Sequence, residues 1–199
     1  MPEGRPDETD LVRRLASGER AAFEQVYRQH NASLIRVAAG IVGSRAVAEE
    51  MAQDTWVAVL RNISGFEGRS SLAGWIFTIL VNRARSRARR DGRMVPLDAG
   101  TSDDGLSGAF DGHGHWATPP DLWEEVTPER ILAGRDVISH VAAAIDGLPA
   151  GQRAVLILRA QEGLDAAEVC AILDLTEGNM RVLLHRARTA VRAALAQLM

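Results

Sequence analysis

Two clusters of arginine carry the chemistry this chain can do. Arg83, Arg85, Arg87, Arg89 and Arg90 fall within eight residues, a short way after a loop, Ser64 to Ser70, that holds Phe66. Guanidinium groups neutralise phosphates and aromatic rings stack on unpaired bases. An aromatic-bearing loop followed by arginines is therefore the pattern of a surface that grips nucleic acid. Near the other end, Arg181, His185, Arg186, Arg188 and Arg192 share the outward face of a segment whose apolar positions are Met180, Leu184, Ala187 and Val191. Such a face is either simply solvated or presents arginine forks to guanine and phosphate in a DNA groove. Chemistry of the bond-breaking kind is not indicated. The chain has no nucleophile–base pair, phosphate-cradling glycine loop or HExxH motif. His113 and His115 sit in a Gly-His-Gly-His turn, with Cys170 distant and no second ligand pair to close a zinc site. The expectation is a binding protein rather than an enzyme, with no metal or cofactor.

The elements that position these residues read as helices. Apolar residues at Phe23, Val26, Tyr27, Leu34, Ile35, Val37, Ala38 and Ile41 predict a long amphipathic helix over 21–42. Gly43 interrupts it, and Ser44 can cap a second helix running to about Asn62. In that helix Met51, Thr55, Val59 and Leu60 share one face, while Glu49, Glu50, Gln53 and Asp54 form an acidic, polar one. A third helix from Leu72 turns Trp75, Ile76, Ile79 and Leu80 inward before reaching the arginines. Downstream, Pro149 suits a first helical position. Val155, Leu156 and Leu158, with Ile157 beside them, supply an apolar face, and Gly163 ends that helix. Asp165 caps a short helix bearing Ala167, Val169, Cys170, Ile172 and Leu173, and a turn at Asp174 to Thr176 leads into a basic helix from near Glu177. A short buried helix, a tight turn and an arginine-studded helix form the layout of a helix-turn-helix.

Charge divides the chain into three. Residues 1–95 carry a net +4, residues 96–136 a net −7, and residues 137–199 balance. The acidic middle is dense in Gly, Asp, Ser and Pro and lacks periodicity, so it reads as a flexible linker, with helix resuming near Glu129 after Thr127-Pro128. Its Phe110, Trp116, Leu122 and Trp123 suggest that it docks on something rather than merely spacing two domains. All 23 basic residues are arginine, a bias that fits a GC-rich genome as well as phosphate recognition. The first ten residues are polar and acidic, no apolar run approaches the roughly 18 residues of a membrane span, and Cys170 is the single cysteine. These features point to a cytoplasmic protein without a disulfide or membrane insertion. The architecture expected is all-α: two small helical domains, 8–94 and 131–199, joined by an acidic linker over 95–130.

The segment AEEMAQDTWVAVLRNISGFEGRSSLAGWIFTILVNRARSRARR resembles the second conserved region of bacterial sigma factors, and LPAGQRAVLILRAQEGLDAAEVCAILDLTEGNMRVLLHRAR resembles their fourth. Possession of those two regions alone, in order, is similar to the extracytoplasmic-function group of the sigma-70 family. The resemblance spans about 8–94 and 137–196. It implies a dissociable subunit of RNA polymerase that selects promoters and helps to open them. Residue by residue, it implies that Glu49, Glu50, Gln53, Asp54 and Trp56 contact core polymerase. It implies that Phe66, Arg69, Ser71, Trp75 and Asn82 capture a flipped base of the minus-ten element, with Arg83, Arg87 and Arg90 on phosphates. It implies that Asn179, Arg181, Val182, His185, Arg186 and Arg188 read the minus-thirty-five element. The partners implied are core polymerase, promoter DNA and an anti-sigma factor.

Two departures matter for recognition. The family often has Gly-Thr where this chain has Gly178-Asn179, and Ser-Arg where Val182-Leu183 stand. Val182 can touch a thymine methyl or pack inward, so the promoter sequence does not carry over from relatives. A different helix-turn-helix regulator, such as a LuxR-type output domain, shares part of the C-terminal pattern. It would bring an α/β receiver or a ligand-binding domain, and the N-terminal half here shows no strand–helix alternation.

Overall fold

The computed structural model describes residues 6–92 and 134–196, and every element in them is helical. The 95–130 linker, with its two tryptophans and two histidines, and the start near Glu129 lie outside the described residues. The first block comprises α1 (Pro6–Ala16), α2 (Arg20–Val42), α3 (Arg45–Asn62), a 3-10 turn at Ile63–Gly65, and α4 (Leu72–Arg90). The second comprises α5 (Gly134–Asp146), α6 (Ala150–Leu156), a π-turn at Ile157–Gln161, α7 (Ala166–Leu173) and α8 (Glu177–Ala196).

Local chemistry sets the helix ends. Gly43, at φ 68°, closes α2 in the left-handed conformation and donates its N–H to Ala39 O. The next residue, Ser44, caps α3 by accepting from Val47 N, as the sequence led one to expect. Ser71 does the same for α4, with Gly74 N at 3.0 Å from its Oγ. Pro149 stands one place earlier than expected, as the N-cap of α6. The helix of 150–161 ends before Gly163 by widening into a π-turn, in which Glu162 N bonds Ile157 O.

α2 is the axis of the first block, with α3 and α4 packed along it. Val26, Leu34, Val37 and Ile41 meet Met51 and Val59 of α3 and Ile76, Phe77, Leu80 and Val81 of α4. Ala38, Ala48, Ala52 and Ala84 are small enough to let the backbones approach. Each fully buried large side chain contributes about 1.5–3 kcal/mol by leaving water. The inward set differs in detail from expectation. Phe77 and Val81 are fully buried, whereas Trp75 and Ile79 are only half-buried, because α4 is rotated so that Trp75 lies over Phe66 at its rim. Tyr27 and Leu60, expected inside, are 40% and 48% exposed. In α8 the second inward residue is Leu183 rather than Leu184.

The two blocks are not separate bodies on a string. α2 lies against α6 and the π-turn, and α4 lies against α7. One apolar core runs from Leu15 to Ala187.

Candidate nucleic-acid interface

The loop between α3 and α4 is built on the 3-10 turn, where Phe66 N bonds Ile63 O, and on Gly68, at φ 67°. Phe66 and Trp75 meet as tilted rings, 5.4 Å between centroids, and both stay half-buried. Arg69 stands out in solvent at 86% exposure, 3.1 Å from Glu67. Phe66, Arg69, Ser71 and Trp75 are thus brought together on one loop and the turn of helix that follows it. Asn82 is exposed two turns further along α4.

The arginines of α4 do not form one surface. Ala84 and Ala88 are buried, and the guanidiniums radiate around them. Arg83 and Arg87, one turn apart, reach α3: Arg83 lies 3.7 Å from Asp54 and Arg87 lies 3.4 Å from Glu50. Arg87 also binds Asp91 at 2.9 Å, and that carboxylate holds its guanidinium charged above the usual range, with Glu50 adding to the effect. Arg85 turns the other way and donates to Leu173 O at 2.5 Å. Arg89 and Arg90 are exposed and make no ion pair among the described residues. Two of the residues expected to hold phosphate are therefore tied to two of those expected to meet a protein partner.

Along α3, Glu50, Gln53, Asp54, Val57, Leu60 and Arg61 form a continuous exposed stripe at helical spacing, with Arg45, Ala46 and Asn62 exposed at the helix ends. Glu49 is half-buried and paired with Arg45 at 3.0 Å. Trp56 is not on this face. It is 4% exposed, sits edge-on to Phe23 and tilted against Tyr27, and donates Nε1–H to Asn31 Oδ1 at 3.0 Å. So enclosed, the ring leaves little of itself at the surface of α3. The sequence reading missed a second feature: Tyr27, Val57 and Leu60 are the large apolar side chains most exposed to solvent among the described residues. The signal was available in the period of α3, since Val57 and Leu60 fall three and seven residues beyond Asp54 and Gln53, on the polar face.

In the second block Asp165 and Glu168 form a reciprocal capping box at the start of α7. Asp174 takes the left-handed conformation, φ 53°, and turns the chain, and Thr176 Oγ1 accepts from Asn179 N at 3.2 Å as α8 begins. Val169, Ile172 and Leu173 of α7 meet Met180, Leu183 and Ala187 of α8 in the core. This is the helix-turn-helix geometry. On α8, Asn179, Arg181, Val182, His185 and Arg186 are half-buried along the helix and Arg188 is exposed. Arg181 pairs with Glu177 one turn earlier. Leu183 takes the inward place, leaving Val182 on the rim. Burial, followed by the repulsion of Arg192, Arg186 and Arg188, lowers the pKa of His185.

No group of three or more acidic, histidine or cysteine side chains is placed to hold a metal among the described residues. No described helix is long and apolar enough to cross a membrane.

Comparison with known proteins agrees with this geometry. Residues 26–94 match the family model of sigma-70 region 2 and residues 140–191 that of sigma-70 region 4, together more than half of the chain. The chain is 26% identical over 189 residues to the RNA polymerase sigma-H factor of Pseudomonas aeruginosa, covering 95% of this chain and 94% of that one. It is 27% identical to the ECF RNA polymerase sigma-E factor of Escherichia coli, with 91% and 90% covered. Among solved structures, its fold is similar to that of CnrH bound to the cytosolic domain of CnrY (TM-score 0.51, 22% identity, 96% and 97% covered). It is also similar to that of RpoE bound to the anti-sigma factor NepR from Bartonella quintana (TM-score 0.52, 24% identity, 87% and 96% covered).

Proposed function

The chain belongs to the extracytoplasmic-function group of the sigma-70 family, and from that premise we propose how its surfaces divide the work of a sigma factor. As a sigma factor it binds core RNA polymerase, directs it to promoters and assists their melting. The α3 stripe supplies the polymerase contact: Glu50, Gln53 and Asp54 give it charge and hydrogen-bonding capacity, and Val57, Leu60 and Tyr27 give it apolar area. The 66–71 loop with Trp75 and Asn82 receives an extruded minus-ten base, whose unstacking costs a few kcal/mol that the Phe66–Trp75 pair and Arg69 offset. Arg83, Arg87, Arg89 and Arg90 hold nearby phosphates. Asn179, Arg181, Val182, His185, Arg186 and Arg188 read the minus-thirty-five element from α8.

The observation that carries this reading is the pairing of a region-2 helical block with a region-4 helix-turn-helix in one chain. A stand-alone LuxR-type regulator does not bring such an N-terminal block. On this account the chain has no catalytic activity of its own, works in the cytoplasm beside polymerase, and is held in check by an anti-sigma factor, as the similar CnrH and RpoE folds were captured with binding partners.

The polymerase contact is tested by Leu60→Asp. A charge in an apolar contact removes about 2 kcal/mol or more, so affinity for core polymerase should drop at least about tenfold while the circular dichroism melt stays unchanged. Undiminished binding would remove α3 as the contact.

A further inference from the structure

The loop that leads into α4 has little to hold it in shape from within. Glu67, Gly68, Arg69 and Ser70 are exposed, and their contacts are local: Arg69 to Glu67 at 3.1 Å and Ser70 Oγ to Ser71 O at 3.3 Å. Where Phe66, Arg69 and Ser71 stand is therefore decided where the two ends of the loop are fastened. α1 takes part at both. At the entry it packs against the 3-10 turn, whose Ile63 is buried. At the exit Glu8 Oε1 accepts from Leu72 N at 2.6 Å. Leu11, Val12 and Leu15 seat α1 on the apolar core, and Arg14 ties it to α2 through both carboxylate oxygens of Glu19, at 2.9 and 2.6 Å.

The bond to Leu72 N answers a definite need. The first N–H groups of a helix have no partner within it. At α4 the Ser71 hydroxyl serves Gly74 N at 3.0 Å and leaves Leu72 N, on a buried residue, to be met from elsewhere. Glu168 of α7 meets Ser71 N and Oγ at 2.8 and 2.7 Å, but it belongs to the other block. Glu8 belongs to the block that carries the loop. It also precedes residues 26–94, which the region 2 model matches, so the family assignment gives it no role.

Resting on the reading of the 66–71 loop given above, we propose that Glu8 is a positioning residue for base capture. By accepting from Leu72 N it fixes the start of α4, and with it the placing of Phe66, Arg69, Ser71 and Trp75 around an extruded base. The sign of its effect separates this role from that of a bystander. A carboxylate close to a surface that receives DNA repels phosphate, so removal of a bystander Glu8 would strengthen binding. A positioning Glu8 favours binding despite its charge, through one hydrogen bond that an amide oxygen can also accept.

The test uses polymerase holoenzyme reconstituted with the full chain. Its probe is a single-stranded non-template oligonucleotide spanning the minus-ten element of a promoter from which the chain initiates. Abasic sites placed one at a time across the element find the captured base, as the position whose loss costs most affinity. The readout is the ratio of Kd for that abasic strand to Kd for the intact one. Glu8→Ala should weaken the intact strand about fivefold, the size expected on losing one hydrogen bond, and leave the abasic strand unchanged. The ratio then falls by the same factor. Glu8→Gln, which keeps the acceptor, should hold the ratio within about twofold of wild type. A partly unfolded variant would lower the active fraction without changing the ratio. A wild-type ratio in Glu8→Ala, or an equal loss in Glu8→Gln, overturns the proposal. Phe66→Ala separates it from the reading on which it rests. If Phe66→Ala lowers the ratio and Glu8→Ala does not, the loop captures a base and Glu8 plays no part in it. If no abasic site costs affinity, or Phe66→Ala keeps the wild-type ratio, the loop reading falls and the proposal with it.

Discussion

Arg186 and His185 stand side by side on α8 and differ in chemistry. A guanidinium such as that of Arg186 can offer guanine a two-pronged contact, the commonest specific contact in a major groove. Arg186→Ala should lower promoter-specific initiation about tenfold to a hundredfold, from the 1–3 kcal/mol of such a contact, with core binding unchanged in a pull-down. Loss of core binding would mean that the side chain serves packing. Burial, and then the charges of Arg192, Arg186 and Arg188, disfavour the protonated form of His185. Its lowered pKa has a stability consequence. Around and below pH 6.5 the unfolded chain binds a proton there that the folded chain resists, so stability rises with pH through that window. Lowering the pH from 7.5 to 5.5 should therefore cost the wild type more melting temperature than it costs His185→Gln; parallel losses would deny the linkage. At this scale the sequence was a good guide to which helices carry arginine and a poor one to which arginines are paired. Arginine spacing shows a charged helix, but the pairing of Arg83 with Asp54 and of Arg87 with Glu50 is set by the packing of α4 on α3. The burial of Trp56 was hidden in the same way. Residue type marks an indole as a good interface anchor, and only the neighbouring Phe23 and Asn31 reveal that it is enclosed.

Helix boundaries were the most legible elements, because their signals are local. Ser44, Gly43 and Asp165 work where side-chain capping and left-handed backbone demand them. α1 and the π-turn were not singled out, and neither has a local signature: α1 buries little beyond Leu15, and a π-turn widens an otherwise ordinary apolar run. The rotation of α8 was legible to within one residue, since Leu183 and Leu184 are adjacent and only the packing of α8 on its neighbours buries Leu183. The capping box is the element-scale device that holds the recognition helix in place, because α7 supports α8. Asp165→Ala should cost about 1 kcal/mol and lower the melting temperature by a few degrees, read by calorimetry on the full chain. An unchanged melt would show that the fold of α7 rests on core burial alone.

For the whole molecule, composition and charge blocks distinguished two helical domains and an acidic stretch between them, and both domains have the elements expected. Their mutual docking was not legible. It depends on contacts such as His30 with Glu162 and Ser71 with Glu168, pairs about a hundred residues or more apart whose partners carry no mark in either segment. A sigma factor needs its DNA-reading surfaces only when polymerase presents them on one duplex, where tethering raises their effective concentration together. The most direct test of that account is run-off transcription by bacterial core polymerase on a library of genomic fragments, with and without this chain. The account predicts discrete start sites that appear only when the chain is present and that share two upstream elements on alignment. An unchanged transcript pattern, with no complex formed between chain and core, would contradict it.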